Sequence, residues 1–202
     1  SFLLEYGLFS AAGLLMGLIS TTALAAHQIA LQIAAILFVV PFGIGMAATV
    51  RVGHAVGRSD AVAIRRAGIA AIVLGIAFMG VMTLVVVLLR FDLAGFFFGD
   101  TRQGLAAIDL AATLMLVGAS FFIADGVQAV AAGALRGLSD TRIPLLLAAV
   151  SYWAIGFTVA YGLAFHGGLE AIGVWIGLSV GTAVYAMSLV LRFRLLTRRL
   201  GF

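Results

Sequence analysis

Six long apolar runs, at about 2–19, 24–49, 63–89, 105–134, 144–165 and 171–191, constrain this chain more than anything else in it. A helix needs about 20 mostly apolar residues to cross a bilayer, and each run is close to or beyond that length. A lipid-spanning β-barrel would instead need short alternating strands of about ten residues, and these runs are too long and too uniform for that. Composition agrees. The chain is 64% hydrophobic and only 10% charged, against about 45–50% apolar and about 25% charged in a soluble domain. A water-soluble fold could not hide so much apolar surface. The expected fold class is an all-α membrane protein, a six-transmembrane-helix bundle with the lipid bilayer as its first partner.

The breaks between runs carry the polar residues. "STT" (20–22) reads as a tight turn, "RVGHAVGRSD" (51–60) as a polar loop and "HGGLE" (166–170) as a short turn. "RFDLAGFFFGDTRQG" (90–104) reads as an amphipathic interfacial stretch, and "LRGLSDTRIP" (135–144) as the end of one helix and the start of the next. All twelve cationic side chains are arginine. Arg51, Arg58, Arg65, Arg66, Arg136, Arg142, Arg192, Arg194, Arg198 and Arg199 fall on one side of the predicted spans, and only Arg90 and Arg102 on the other. Cytoplasmic loops are the arginine-rich ones, so both chain ends are expected in the cytoplasm of a bacterial inner membrane. The net charge of +4 does not point to nucleic acid, because the arginines are spread between apolar runs rather than gathered on one face. With no cysteine, disulfides and thiolate chemistry are excluded. No Walker lysine, HExxH or serine-triad signature is present, so no enzyme is expected. The chain opens inside an apolar run with no charged leader before it, which predicts a fragment of something longer. No internal repeat or low-complexity tract is evident.

Two acids lie well inside the runs, Glu5 and Asp125. A charged side chain at mid-membrane costs about 2.5–3.5 kcal/mol on insertion scales, so it faces a protein interior or a watery cavity and marks function. Glu5 lies roughly 24 Å of helix before the turn at Thr21, and Asp125 roughly 30 Å after the fourth span begins near Leu105. The two could therefore share one layer. Two carboxylates in a poorly solvated site do not readily both carry charge. Such a pair can take up a proton or hold Na⁺ with help from carbonyl and hydroxyl oxygens, which is the chemistry of an ion-coupled transporter. Otherwise each acid merely hydrogen-bonds a neighbouring helix.

Other polar residues carry smaller expectations. Gln128, one turn from Asp125, is placed on the same cavity. His27 sits near the outer end of the second span, and Gln28 and Gln32 share a face there that ties helices together or lines the cavity. Pro41, flanked by Gly43 and Gly45, predicts a kink and a hinge. Gly53 and Gly57 have GxxxG spacing but are assigned to the loop, so they are not read as a helix-pairing motif. Asp140 is expected to pair with Arg136 or Arg142, Pro144 to open the next helix, and Tyr152 and Trp153 to form an aromatic belt.

"ALAAHQIALQIAAILFVVPFGIGMAATVRVGHAVGRSD" (23–60) and "ADGVQAVAAGALRGLSDTRIP" (124–144) resemble the second six-helix half of multidrug and toxic compound extrusion (MATE) transporters, above all the NorM-like branch. "SYWAIGF" (151–157) and "GVWIGLSVG" (173–181) continue the likeness in register, over essentially all 202 residues. The resemblance implies one lobe of a twelve-helix transporter whose N-terminal lobe is absent from this sequence. It implies export of small cationic or amphipathic drugs in exchange for Na⁺ or H⁺, with no other cofactor. The family's coupling acids on its seventh and tenth helices match Glu5 and Asp125. It also marks a cytoplasmic loop motif at Arg51, Gly53, Gly57, Arg136 and Asp140. Where some members carry an aromatic hydroxyl one turn before the tenth-helix acid, this chain has Phe121. Two other readings are a flippase lobe, whose exporter families share the helix plan, and a non-transporting membrane scaffold. A lipid-linked sugar flippase lobe should have basic residues deep in its spans, and none is there; a non-transporting scaffold would need no deep acids.

Overall fold

The computed structural model describes residues Phe2–Phe97 and Arg102–Arg199. The described residues form helices and the turns between them: α1 Phe2–Ile19, α2 Thr21–Gly57, α3 Ala61–Leu88, the short α4 Arg90–Gly95, α5 Arg102–Val117 and α6 Ala119–Gly137. A long α7, Arg142–His166, and α8, Glu170–Arg199, complete the chain. Four of these, α2, α3, α7 and α8, are long and apolar enough to cross a bilayer, and α5 with α6 forms a fifth such unit bent by 54°. The shorter apolar α1 corresponds to the first predicted run. The bundle therefore has the predicted order, with three departures that bear on the site.

First, the fourth span is broken. Gly118 separates α5 from α6, and a methyl group added there would fall 2.6 Å from the indole of Trp175 on α8. The ring fills the space a side chain would take, and the helix turns around it.

Second, the stretch assigned to a loop at 51–57 is helix. α2 runs without interruption through the buried Pro41 to Gly57, so Arg51, Gly53 and Gly57 lie on its final turns. Polarity marks where a helix leaves the apolar layer, not where its hydrogen bonding stops. The stop comes at Ser59, whose φ of 54° is left-handed. The same Gly-x-Ser-Asp sequence closes α6, where Ser139 has φ 60°. In both turns the Asp N–H reaches back to a carbonyl five residues earlier: Asp60 to Ala55 and Asp140 to Leu135, each at 3.0 Å. Asp60 then caps α3 by accepting from the Ala63 N–H at 2.9 Å.

Third, α7 is wound with π-type turns over Val150–Phe157 and Gly162–His166. Its first turn holds Pro144 as predicted. Tyr152, expected in an interfacial belt, is instead buried and packed on Tyr185, with ring centroids 5.1 Å apart. Trp153 is 40% exposed and stays on the outer face of the bundle.

The core is built on close backbone approach. Gly45 of α2 and Gly133 of α6 face each other, with the Gly45 carbonyl oxygen in the place a Gly133 side chain would need. Thr49 lies one turn further along α2, and its hydroxyl reaches both Gly45 O at 3.0 Å and Gly133 O at 2.8 Å. The final turns continue the seam, where a methyl on Gly137 would meet Val52 and Thr49 O. Small residues at such a seam let dispersion and interhelical hydrogen bonds act where lipid supplies no hydrophobic drive. Gly173, Gly177 and Gly181 of α8 do the same against Ala164, Ala160 and Gly156 of α7.

Candidate functional site

Glu5 on α1 and Asp125 on α6 meet in the interior. They are 8% and 5% exposed, and they share a donor: Gln128 Nε2 lies 2.8 Å from Glu5 Oε1 and 3.0 Å from Asp125 Oδ1. Gln128, itself 3% exposed, is one helical turn after Asp125. The i, i+3 spacing puts both on one face of α6, and the amide's two N–H bonds divide between the acids. The bend at Gly118 helps reconcile the depths counted along the chain, because a path that turns by 54° penetrates less far than its contour length.

Two cavities border the pair, and Glu5 lines both. One of about 240 Å³ runs past Gln128, Phe38, Phe42 and Ala132 to Arg136, Asp140 and Thr141 at the arginine-rich end. The other, of about 440 Å³, is more apolar and holds Asp125, Phe121, Phe9, Tyr6, Leu31 and Gln32. Phe121 sits one turn before Asp125, fully buried, in edge contact with Phe9 and Trp175 at 5.9 and 5.6 Å between centroids. It closes one side of the acid pair with a ring rather than a hydroxyl.

Tyr152 packs on Tyr185, and its hydroxyl oxygen is buried with no protein hydrogen-bond partner. Two carboxyls beside a neutral side-chain amide suit a hard cation such as Na⁺. Among the described residues no group of three or more His, Cys, Asp or Glu side chains converges as a transition-metal site would.

Not every predicted residue joins this site. Gln32 lines the larger cavity, whereas Gln28, exposed one turn away on α2, lines neither of these two. Pro41 Cγ lies 3.3 Å from where a side chain on Gly126 would begin, one residue from Asp125, and thus backs the site from α2. Arg136 reaches the far end of the smaller cavity from the last turn of α6. The predicted partner of Asp140 is wrong: its Oδ2 accepts from Arg192 Nε at 2.9 Å, across 52 residues, and pins the end of α8 to the α6–α7 turn. His27 is fully buried, and its Nδ1 accepts from Trp175 Nε1 at 3.2 Å. Nothing in the local sequence announced that pair, because its members are 148 residues apart.

A multi-pass α-helical bundle with paired carboxyls deep in its interior, flanked by cavities, is a membrane protein built around an ionisable site. Its family follows from comparison with known proteins. The MatE family model matches residues 1–162, and the chain belongs to this family of membrane transporters. A probable multidrug resistance protein NorM of Bradyrhizobium diazoefficiens is 64% identical over 99% of this chain and 43% of its own length. Multidrug resistance protein NorM of Burkholderia vietnamiensis is 49% identical over 97% of the chain and 43% of its own. This chain thus spans less than half the length of the curated relatives it matches. Among solved structures, an inward-facing multidrug resistance MATE family transporter covers 98% of the chain at TM-score 0.85 and 19% identity, and this chain covers 46% of it. The eukaryotic MATE transporter AtDTX14 covers 98% at TM-score 0.80 and 24% identity, with 45% of its own length matched.

Proposed function

We propose that this chain is the C-terminal, cation-binding lobe of a NorM-type MATE transporter, completed by an N-terminal six-helix lobe. In this reading the whole protein exports cationic or amphipathic drugs across the bacterial cytoplasmic membrane in exchange for Na⁺ or H⁺. The arginine-rich end, with both chain ends, faces the cytoplasm.

The convergence of Glu5 and Asp125 on one amide carries the proposal. Negative charge this deep is costly unless something positive compensates it, and a coupling cation does so during part of each cycle. Glu5 borders both cavities, so a cation held there has a way toward either side of the lobe. The sequence places no arginine deep in any span, which favours cationic over anionic cargo. Likeness to both an inward-facing and an outward-facing MATE transporter, at TM-scores of 0.85 and 0.82, supports a lobe that keeps its fold while the whole protein changes shape.

Asp125→Asn in the full-length protein should reduce cation-dependent dye efflux by at least about tenfold, at unchanged membrane abundance. Glu5→Gln should weaken it in the same direction. Wild-type efflux and cation dependence in both variants would remove the pair from the mechanism.

A further inference from the structure

We propose that Gln128 is an exchanging ligand of the cation site. The inference rests on the coupling role given to Glu5 and Asp125 and adds one residue to it. As oriented here, the Gln128 amide turns its two N–H bonds to the carboxyls, at 2.8 and 3.0 Å. Those hydrogens carry partial positive charge and lie where a cation bridging the two acids would sit. A cation and the amide N–H groups cannot share that place.

Rotation of the amide by about 180° about its last side-chain torsion is soft, because a terminal sp³–sp² torsion has broad, roughly two-fold preferences. It replaces the N–H groups with Oε1, an acceptor with two lone pairs. The same residue then stabilises the two acids in one orientation and coordinates a cation in the other. The side chain needs no exit path for this, since only its tip turns and Gln128 already borders the smaller cavity.

Hard cations prefer several oxygen donors, mixing carboxylate with carbonyl. With its amide turned, Gln128 adds a carbonyl oxygen to the carboxyls of Glu5 and Asp125, a set that suits an ion of Na⁺ size.

Equilibrium binding of ²²Na⁺ to the purified full-length protein, displaced by unlabelled NaCl at constant ionic strength with choline, tests this. Gln128→Leu should raise the dissociation constant by about tenfold or more, as removal of a supporting group at a metal site commonly does. If Gln128→Leu does not reach the membrane, Gln128→Met takes its place. A Gln128 variant that binds ²²Na⁺ as tightly as the parent, or more tightly, would show the amide to be only a competitor for the site. That result, or a parent protein that binds no ²²Na⁺, overturns the proposal. Asp125→Asn separates the two levels. If it abolishes coupled efflux while the Gln128 variant binds ²²Na⁺ normally, the carboxyl pair stands and this inference falls. If Asp125→Asn itself retains coupled efflux, the underlying reading falls.

Discussion

α3 and α6 both cross the bundle, yet they are opposites. The buried residues of α3 form a single stripe, Ile64, Gly68, Ile72, Gly75, Met79, Thr83 and Val86, and apolar side chains off that stripe, such as Val81 and Leu84, point outward. α6 is buried over most of its circumference and carries small and polar residues, Gly126, Gly133, Asp125 and Gln128 among them. In water the more hydrophobic helix would be the inner one. In lipid apolar side chains gain nothing by hiding, so the interior goes to residues that allow close packing or that lipid would reject.

That contrast can be tested by substitution, from the largest expected effect to the smallest. Gly133→Val on α6 would drive a side chain into the backbone of Gly45 and should destabilise the full-length protein by about 3 kcal/mol, seen as lost membrane yield and a lower melting temperature in detergent. Thr49→Val keeps the shape but removes the hydroxyl that reaches the Gly133 carbonyl. Interhelical bonds of this kind average about 0.6 kcal/mol, so a small drop in melting temperature with normal yield is expected. Leu84→Ala on the outward face of α3 should change stability by no more than about 0.5 kcal/mol. A Leu84→Ala variant that melted as early as Gly133→Val would erase the distinction between the two helices. A neutral Gly133→Val would refute the close seam.

The sequence reveals the long spans and the pairing of Glu5 with Asp125, because both rest on large costs: lipid tolerates neither unpaired backbone nor stray charge. Gln128 was also legible, since it lies one turn from an acid already assigned to the interior. What stayed hidden depends on contacts between distant segments. Gly118 looks like any of the 25 glycines until Trp175 is seen against it. Asp140 has arginines two and four residues away but pairs with Arg192. Tyr152 reads as an interfacial aromatic because its position along the helix is plain, whereas its inward rotation depends on how α7 is wound. Arg51, Gly53 and Gly57 were misassigned because composition reports immersion, and a helix can run on past it.

The seam between α2 and α6 has a further consequence. With backbones in contact and Thr49 bridging them, these two helices behave as one plate, and the plate carries Asp125 and Gln128. Glu5 stands on α1, which reaches α6 through side chains: its own carboxyl on Gln128, and Phe9 on Phe121. The acid pair is therefore a caliper whose jaws stand on different bodies, and the side-chain packing of α1 on the plate sets the width of the gap between them.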